Sequence, residues 1–254
     1  PAPVTSFLAS AVKVAVFAFA MRWLMMAQGD YLTLLLLGLT IMAALSMVVG
    51  NLLALRQDNL KRLLGYSSIA HMGYVIITLA ATATPGPDSI STALEGAAVY
   101  LITYASMTML AFAVISQLAS KDRRFESGTL IHYSGLLFQQ PWLASALILA
   151  MLALAGMPLT AGFIGKYYLV LVAVESELWL LLSLLILGSA LGLYYYLRAI
   201  LVLCKTAVDD QPIDHGIMVF SGGEKLLLLL LVLATLWLGI YPTPVIEWVQ
   251  LAIA

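Results

Sequence analysis

An all-α polytopic membrane protein is the fold class this sequence predicts, on three observations. The 254 residues are 63% hydrophobic and only 10% charged, with a mean hydropathy of +1.02, whereas soluble domains are about half apolar and a quarter charged. The apolar residues run in stretches long enough for a bilayer, which needs about 20 residues of a helix that satisfies its own backbone. The charges collect in short connections such as "QGD", "RQDNLKR", "TPGPDS" and "SKDRRFESG".

Taken in order, the stretches fall at roughly 4–28, 31–55, 64–83, 93–120, 141–174, 177–205 and 223–250, which predicts about seven transmembrane helices. The first follows Pro1 and Pro3, read as the trailing edge of an earlier helix break, and carries Lys13 and Arg22. The second runs from "QGD" to "RQDNLKR", and the third contains "SSIAHMGY". The fourth lies between "TPGPDS" and "SKDRRFESG". The fifth is too long for one straight crossing, since 34 residues of helix would span about 50 Å. Gly156 and Pro158 mark the expected interruption, because proline removes a backbone donor and clashes with the preceding turn. In transporters, broken helices tend to mark the site. The sixth follows "VESE", and the seventh closes the chain.

Of the twelve Lys and Arg, Arg56, Lys61, Arg62, Lys121, Arg123, Arg124, Lys205 and Lys225 fall on alternate connections or the helix ends beside them. The connections "QGD", "TPGPDS" and "VESE" and the C-terminus carry none. By the positive-inside rule, residue 1 is expected on the cytoplasmic side and the C-terminus on the far side. The single Cys204 excludes an internal disulfide and a multi-cysteine iron–sulfur site. No soluble basic patch with interleaved aromatics points to nucleic acid. The start at Pro1, without Met or a cleavable leader pattern, reads as a cut.

Lys13, Arg22, Lys166 and Arg198 remain inside apolar stretches. Arg22 and Arg198 sit nearer helix ends and fit snorkelling or bracing of a neighbour. Lys13 in "SAVKVAVFAF" is too deep to snorkel easily, and Lys166 follows the helix break. A cation at bilayer depth costs a few kcal/mol or more, so each lysine is expected to face protein interior or an aqueous path. All the acids lie at connections or helix ends, including Glu95, so the buried cations lack a buried anion in this chain. Burial disfavours a charged lysine, and a carboxylate arriving or leaving would load or unload a proton.

His71 lies mid-helix with Ser67, Ser68 and Tyr74 at helical spacing. Two readings fit: an interhelical hydrogen bond of a buried histidine, or one member of a proton wire whose groups both donate and accept. Lys61 and Arg62 fit a topology signal equally well.

"GNLLALRQDNLKRLLGYSSIAHMGY" at 50–74 and "LAGMPLTAGFIGKYY" at 154–168 resemble the antiporter-like membrane subunits of respiratory complex I, the proton-pumping NADH:quinone oxidoreductase. "GFIGK" and "SALGLYYYLR" at 189–198 are most similar to the subunit N branch of that family, and Lys166 differs from the glutamate of the subunit M branch. The resemblance implies a fold of fourteen core helices in two inverted repeats, each with one broken helix. This chain would be helices eight to fourteen, a single transmembrane domain over 1–254 lacking the N-terminal half.

The resemblance further implies that Lys13 is the central lysine joining two half-channels and that Lys166 is the charged residue near the exit. Lys61 would belong to an inlet half-channel, and His71 falls in a family pattern that also contains Tyr66, Ser67, Ser68 and Tyr74. NADH, flavin, iron–sulfur clusters and quinone would all belong to partner subunits, with no cofactor in this chain. The expected partners are the other membrane-arm subunits, lipid and protons, in a bacterial inner membrane with the C-terminus periplasmic. The alternative reading is a subunit of a multi-subunit cation/proton antiporter. Related hydrogenase, photosynthetic and formate-oxidising complexes use the same module. A static scaffold is the third reading, disfavoured by the cost of burying two cations.

Overall fold

The computed structural model describes residues 11–26, 31–82, 87–205 and 221–253. Pro1 and Pro3 lie outside these residues. Nine helices carry the described chain: α1 (Ala11–Met26), α2 (Tyr31–Leu55), α3 (Leu60–Thr82), α4 (Pro87–Lys121), α5 (Pro141–Ala155), α6 (Ala161–Glu175), α7 (Trp179–Cys204), α8 (Gly222–Ile240) and α9 (Thr243–Ile253). Single helical turns at Arg123–Glu126, Leu130–Tyr133 and Leu136–Gln139 join α4 to α5. Five stretches among the described residues are long and apolar enough to cross a membrane: Leu32–Leu55, Leu60–Thr82, Ile90–Lys121, Trp179–Cys204 and Gly222–Ile240.

Local chemistry moves three boundaries from their expected places. The third helix starts at Leu60 rather than 64 because the Asn59 side-chain Oδ1 accepts from the Arg62 amide at 3.1 Å, satisfying an otherwise orphaned donor. Lys61 and Arg62 therefore sit in the first helical turn. The fourth starts at Pro87, a residue suited to the first helical position because it has no amide hydrogen to leave unpaired. The expected stretch 223–250 is two helices, α8 and α9, separated at Tyr241–Pro242. Pro242 cannot donate to the end of α8, and its carbonyl starts α9 by accepting from Val245 and Ile246 at 3.0 and 3.1 Å.

Within 141–174 the chain forms α5 and α6 with Gly156–Thr160 between them. Gly156 takes a left-handed conformation, φ +84°, at the end of α5. Its amide donates to Leu152 and Ala153, and that of Met157 to Leu152, the pattern by which a left-handed residue closes a helix. Thr160 opens α6, its hydroxyl bonded to the Met157 carbonyl at 2.6 Å. The two helices then cross tightly: a Cβ at Gly162 would lie 1.8 Å from the Ala153 carbonyl oxygen.

α3 and α4 are the most enclosed of the long helices. α2 and α7 flank α3, while α6, α5 and α8 pack on α4. At one end of the bundle the connections are tied together. Residues 58–60 pair with 128–130 through Leu60 N–H to Gly128 and Leu130 N–H to Asp58, and Lys61 Nζ donates to the Glu126 carbonyl at 2.6 Å. Arg198 reaches Gln57 and Asp58, and Lys121 lies 3.7 Å from Glu224. Asp122 caps the next turn through the Arg124 amide, and the Arg124 guanidinium beside it holds the carboxyl below the usual carboxylate range. Exposed pairs of this kind are screened by solvent, so they order the connections more than they stabilise the bundle.

Candidate functional site

The end of α5 creates the setting for Lys166. With the helix closed at Gly156, the Ala155 carbonyl has no further turn to bond, and it points from the negative end of the α5 dipole. Lys166, on the second turn of α6 and buried, donates Nζ–H to that oxygen at 2.8 Å. On another side its ammonium stands 5.9 Å from the Tyr74 ring centre, within cation–π range. A Cβ at Gly156 would come within 2.8 Å of Lys166 Cδ and 3.0 Å of Nζ, so the glycine serves both the turn and the lysine.

Lys13 on α1 reaches α3 and α4. Its Nζ donates to the Ser68 hydroxyl and lies 3.4 Å from the Tyr104 hydroxyl, 5.4 Å above that ring. Tyr104 in turn donates to Ser68 at 3.0 Å. Lys13 is half-buried in the described chain.

His71 lies between the two lysines, buried with 2% of its surface exposed. Its Nδ1 is 2.6 Å from the Tyr100 hydroxyl. Its ring is 5.2 Å from Tyr104, which touches Lys13, and 5.4 Å from Tyr74, which touches Lys166. Lys13, Tyr104, His71, Tyr74 and Lys166 thus make a lateral line through the interior, built from α1, α4, α3 and α6.

Among the described residues neither Lys13 nor Lys166 forms an ion pair with a carboxylate. Their holders are hydroxyls, ring faces and one carbonyl. Neutral holders stabilise an ammonium less than a carboxylate would. Arg198 has its own anion in Asp58, matching the bracing reading, and Arg22 is exposed.

Ser67, Ser68 and His71 each bond a residue of another helix. Ser68 serves Lys13, Ser67 accepts from Tyr196 at 2.7 Å and donates to Leu64, and His71 bonds Tyr100. Adjacent serines lie about 100° apart around a helix and so face different neighbours. Tyr66 is half-buried, and Lys61 is held at the bundle end by the Glu126 carbonyl. Sequence reading passed over Tyr100 and Tyr104, although their four-residue spacing places both on one face of α4, and Asn51, a lone amide within an apolar helix. Among the described residues no cluster of three or more His, Cys, Asp or Glu is arranged to hold a metal ion.

A family model described as NADH:quinone oxidoreductase/Mrp antiporter, transmembrane, matches residues 1–192, well over half of the chain. The chain belongs to that family. A relative named NADH-quinone oxidoreductase subunit N, from Ectopseudomonas mendocina (strain ymp), is 44% identical over 257 residues, covering 98% of this chain and 49% of the relative. The chain spans about half the length of the curated relatives it matches. Among solved structures, a chain of respiratory complex I from Thermus thermophilus is similar with a TM-score of 0.76 and 33% identity, over 97% of this chain and 51% of that one. A chain of the Mrp complex from Dietzia sp. DQ12-45-1b, with a TM-score of 0.69 and 18% identity over 86% of this chain and 47% of that one, shares the fold.

Proposed function

We propose that this chain is the C-terminal part of a proton-translocating membrane-arm subunit of NADH:quinone oxidoreductase, a translocase subunit with no redox chemistry of its own. NADH, flavin, iron–sulfur clusters and quinone belong to partner subunits. Quinone reduction there reaches this subunit as an electrostatic or conformational signal. The single observation that carries the reading is the interior line of two lysines and a histidine held only by neutral groups.

In this mechanism Lys13 receives a proton from a neighbouring part of the membrane arm, and His71 passes it toward Lys166. Buried water closes the gaps between side chains that are near but not directly hydrogen-bonded. Lys166 holds its proton against the open Ala155 carbonyl and the Tyr74 face until an opposing charge withdraws or a second proton arrives. Release then follows toward the far side. Around this line we place about seven crossings, with α5 and α6 as the two halves of one broken crossing and the tied, basic end of the bundle at the cytoplasm. Residue 1 is then cytoplasmic and the C-terminus periplasmic, in a bacterial inner membrane.

Replacing Lys166 by alanine in the complete subunit is expected to lower proton translocation per NADH oxidised, with the complex still assembled. Pumping that stays normal at normal assembly would remove Lys166 from the path. The second reading is a cation/proton antiporter subunit, since the family description names the Mrp antiporter beside the oxidoreductase. Sodium-dependent proton exchange without NADH would support it.

A further inference from the structure

The polar groups on α2 and α7 fall outside the lysine line, yet they converge on one of its members. Asn51 is fully buried on α2. Its Nδ2 donates to the Met47 carbonyl at 2.8 Å and to the Tyr74 hydroxyl at 3.1 Å, and its Oδ1 accepts from the Tyr195 hydroxyl at 3.2 Å. Both amide hydrogens are used, and the amide cannot flip without losing the bond to the Met47 carbonyl, the one partner that can only accept. α7 closes the cage from the other side. A Cβ at Gly188 would meet the Tyr74 hydroxyl at 2.6 Å and Asn51 Nδ2 at 2.7 Å, so only glycine leaves room for the phenol to lie where it does.

Tyr74 is the residue whose position matters to the line, with Lys166 5.9 Å from its ring centre and the His71 ring 5.4 Å away edge-on. A ring attracts an ammonium through its face, and the attraction falls quickly when the ring turns or slides. Fixing the hydroxyl fixes the ring, because the phenol is rigid beyond two torsions.

We propose that Asn51, with Gly188 behind it, is a positioning residue that sets the Tyr74 ring as the plate under Lys166 and so sets how tightly that lysine holds its proton. The proposal rests on the reading of Lys166 as a proton carrier. Asn51 itself touches no transferred proton. Around Lys166 the titratable groups are Tyr74 and, beyond it, His71 from α3, with Tyr100 and Tyr104 from α4 reached through His71 and Lys13 from α1 at the far end of the line. Asn51 acts through Tyr74 alone.

The test uses the full-length subunit in its purified complex, reconstituted in liposomes, with proton uptake per NADH oxidised measured from acid to alkaline pH. Asn51→Leu, which removes the donor to Tyr74, is expected to pull the alkaline limb of the profile to lower pH, since the protonated lysine is held less tightly. A cation–π contact converts to about two- to thirtyfold in the protonation equilibrium, which bounds the displacement. Tyr74→Phe keeps the plate and removes the hydroxyl through which Asn51 acts. In that background, Asn51→Leu is expected to add nothing further to the displacement.

If Asn51→Leu prevents assembly, Asn51→Ser perturbs the same hydroxyl more mildly and is expected to move the limb in the same direction. An unmoved profile in assembled variants, or an equal displacement with and without the Tyr74 hydroxyl, overturns the proposal. Lys166→Ala measured alongside separates the two levels: if it pumps normally, the carrier reading fails, whereas if it alone stops pumping, only the positioning role fails.

Discussion

Gly162→Ala is expected to prevent normal assembly of the subunit, the largest structural effect of any single methyl in the described chain. The added carbon would lie 1.8 Å from the Ala153 carbonyl oxygen and 2.8 Å from its carbon, with Met107 Sδ at 3.2 Å beyond them. Backbone atoms of a closed helix cannot step aside as a side-chain tip can. α6 must therefore draw away from α5, which separates Lys166 from the Ala155 carbonyl. Overpacking of this kind costs about 1–3 kcal/mol when the surroundings yield, and more when they are backbone. The amount of complete complex on a native gel measures it. Gly65→Ala is the control, because Gly65 lies in α3 with nothing within 4 Å of its Cβ position. Helix propensity alone would then make that change neutral or stabilising by about 0.5–1 kcal/mol.

His71→Gln is expected to reduce proton translocation by about tenfold or more while the complex assembles, in line with the usual contribution of a positioned acid–base group. Glutamine can still bond the Tyr100 hydroxyl in place of Nδ1, so the buried phenol keeps a partner. It cannot take and give a proton at neutral pH. His71→Leu would confound the result by leaving that phenol unpaired, which is why the amide is the informative substitution. Normal pumping by assembled His71→Gln would reduce the histidine to an interhelical bond.

How much of this was legible in the sequence depends on what kind of signal each feature leaves. Gly156, Pro158 and Lys166 announce themselves, since each breaks the composition around it for a reason visible in one dimension. The split at Pro242 was equally visible in "YPTP" and was submerged by the apolar run on both sides. Asn51, Tyr100 and Tyr104 leave a different kind of trace. Helices enclosed by lipid and by each other are apolar all round, so no hydrophobic phase tells which face turns inward or which neighbour it meets. Ser67 and Ser68 illustrate the point: consecutive residues of one motif, one bonded to Tyr196 on α7 and the other to Lys13 on α1. Only the packed bundle distinguishes them. That the acids lie at connections or helix ends was readable from the sequence; the hydroxyls and ring faces that hold the two lysines were not.

That Lys13 and Lys166 serve one path, rather than two independent tasks, is the claim on which the account turns. The direct measurement is the number of protons translocated per NADH oxidised by the reconstituted complex carrying Lys13→Ala, Lys166→Ala or both in the full-length subunit. Residues of one path do not add, so each single change is expected to lower the ratio by the same amount and the double change to lower it no further. A double variant with the summed loss of the two, or with no loss at all, would contradict it.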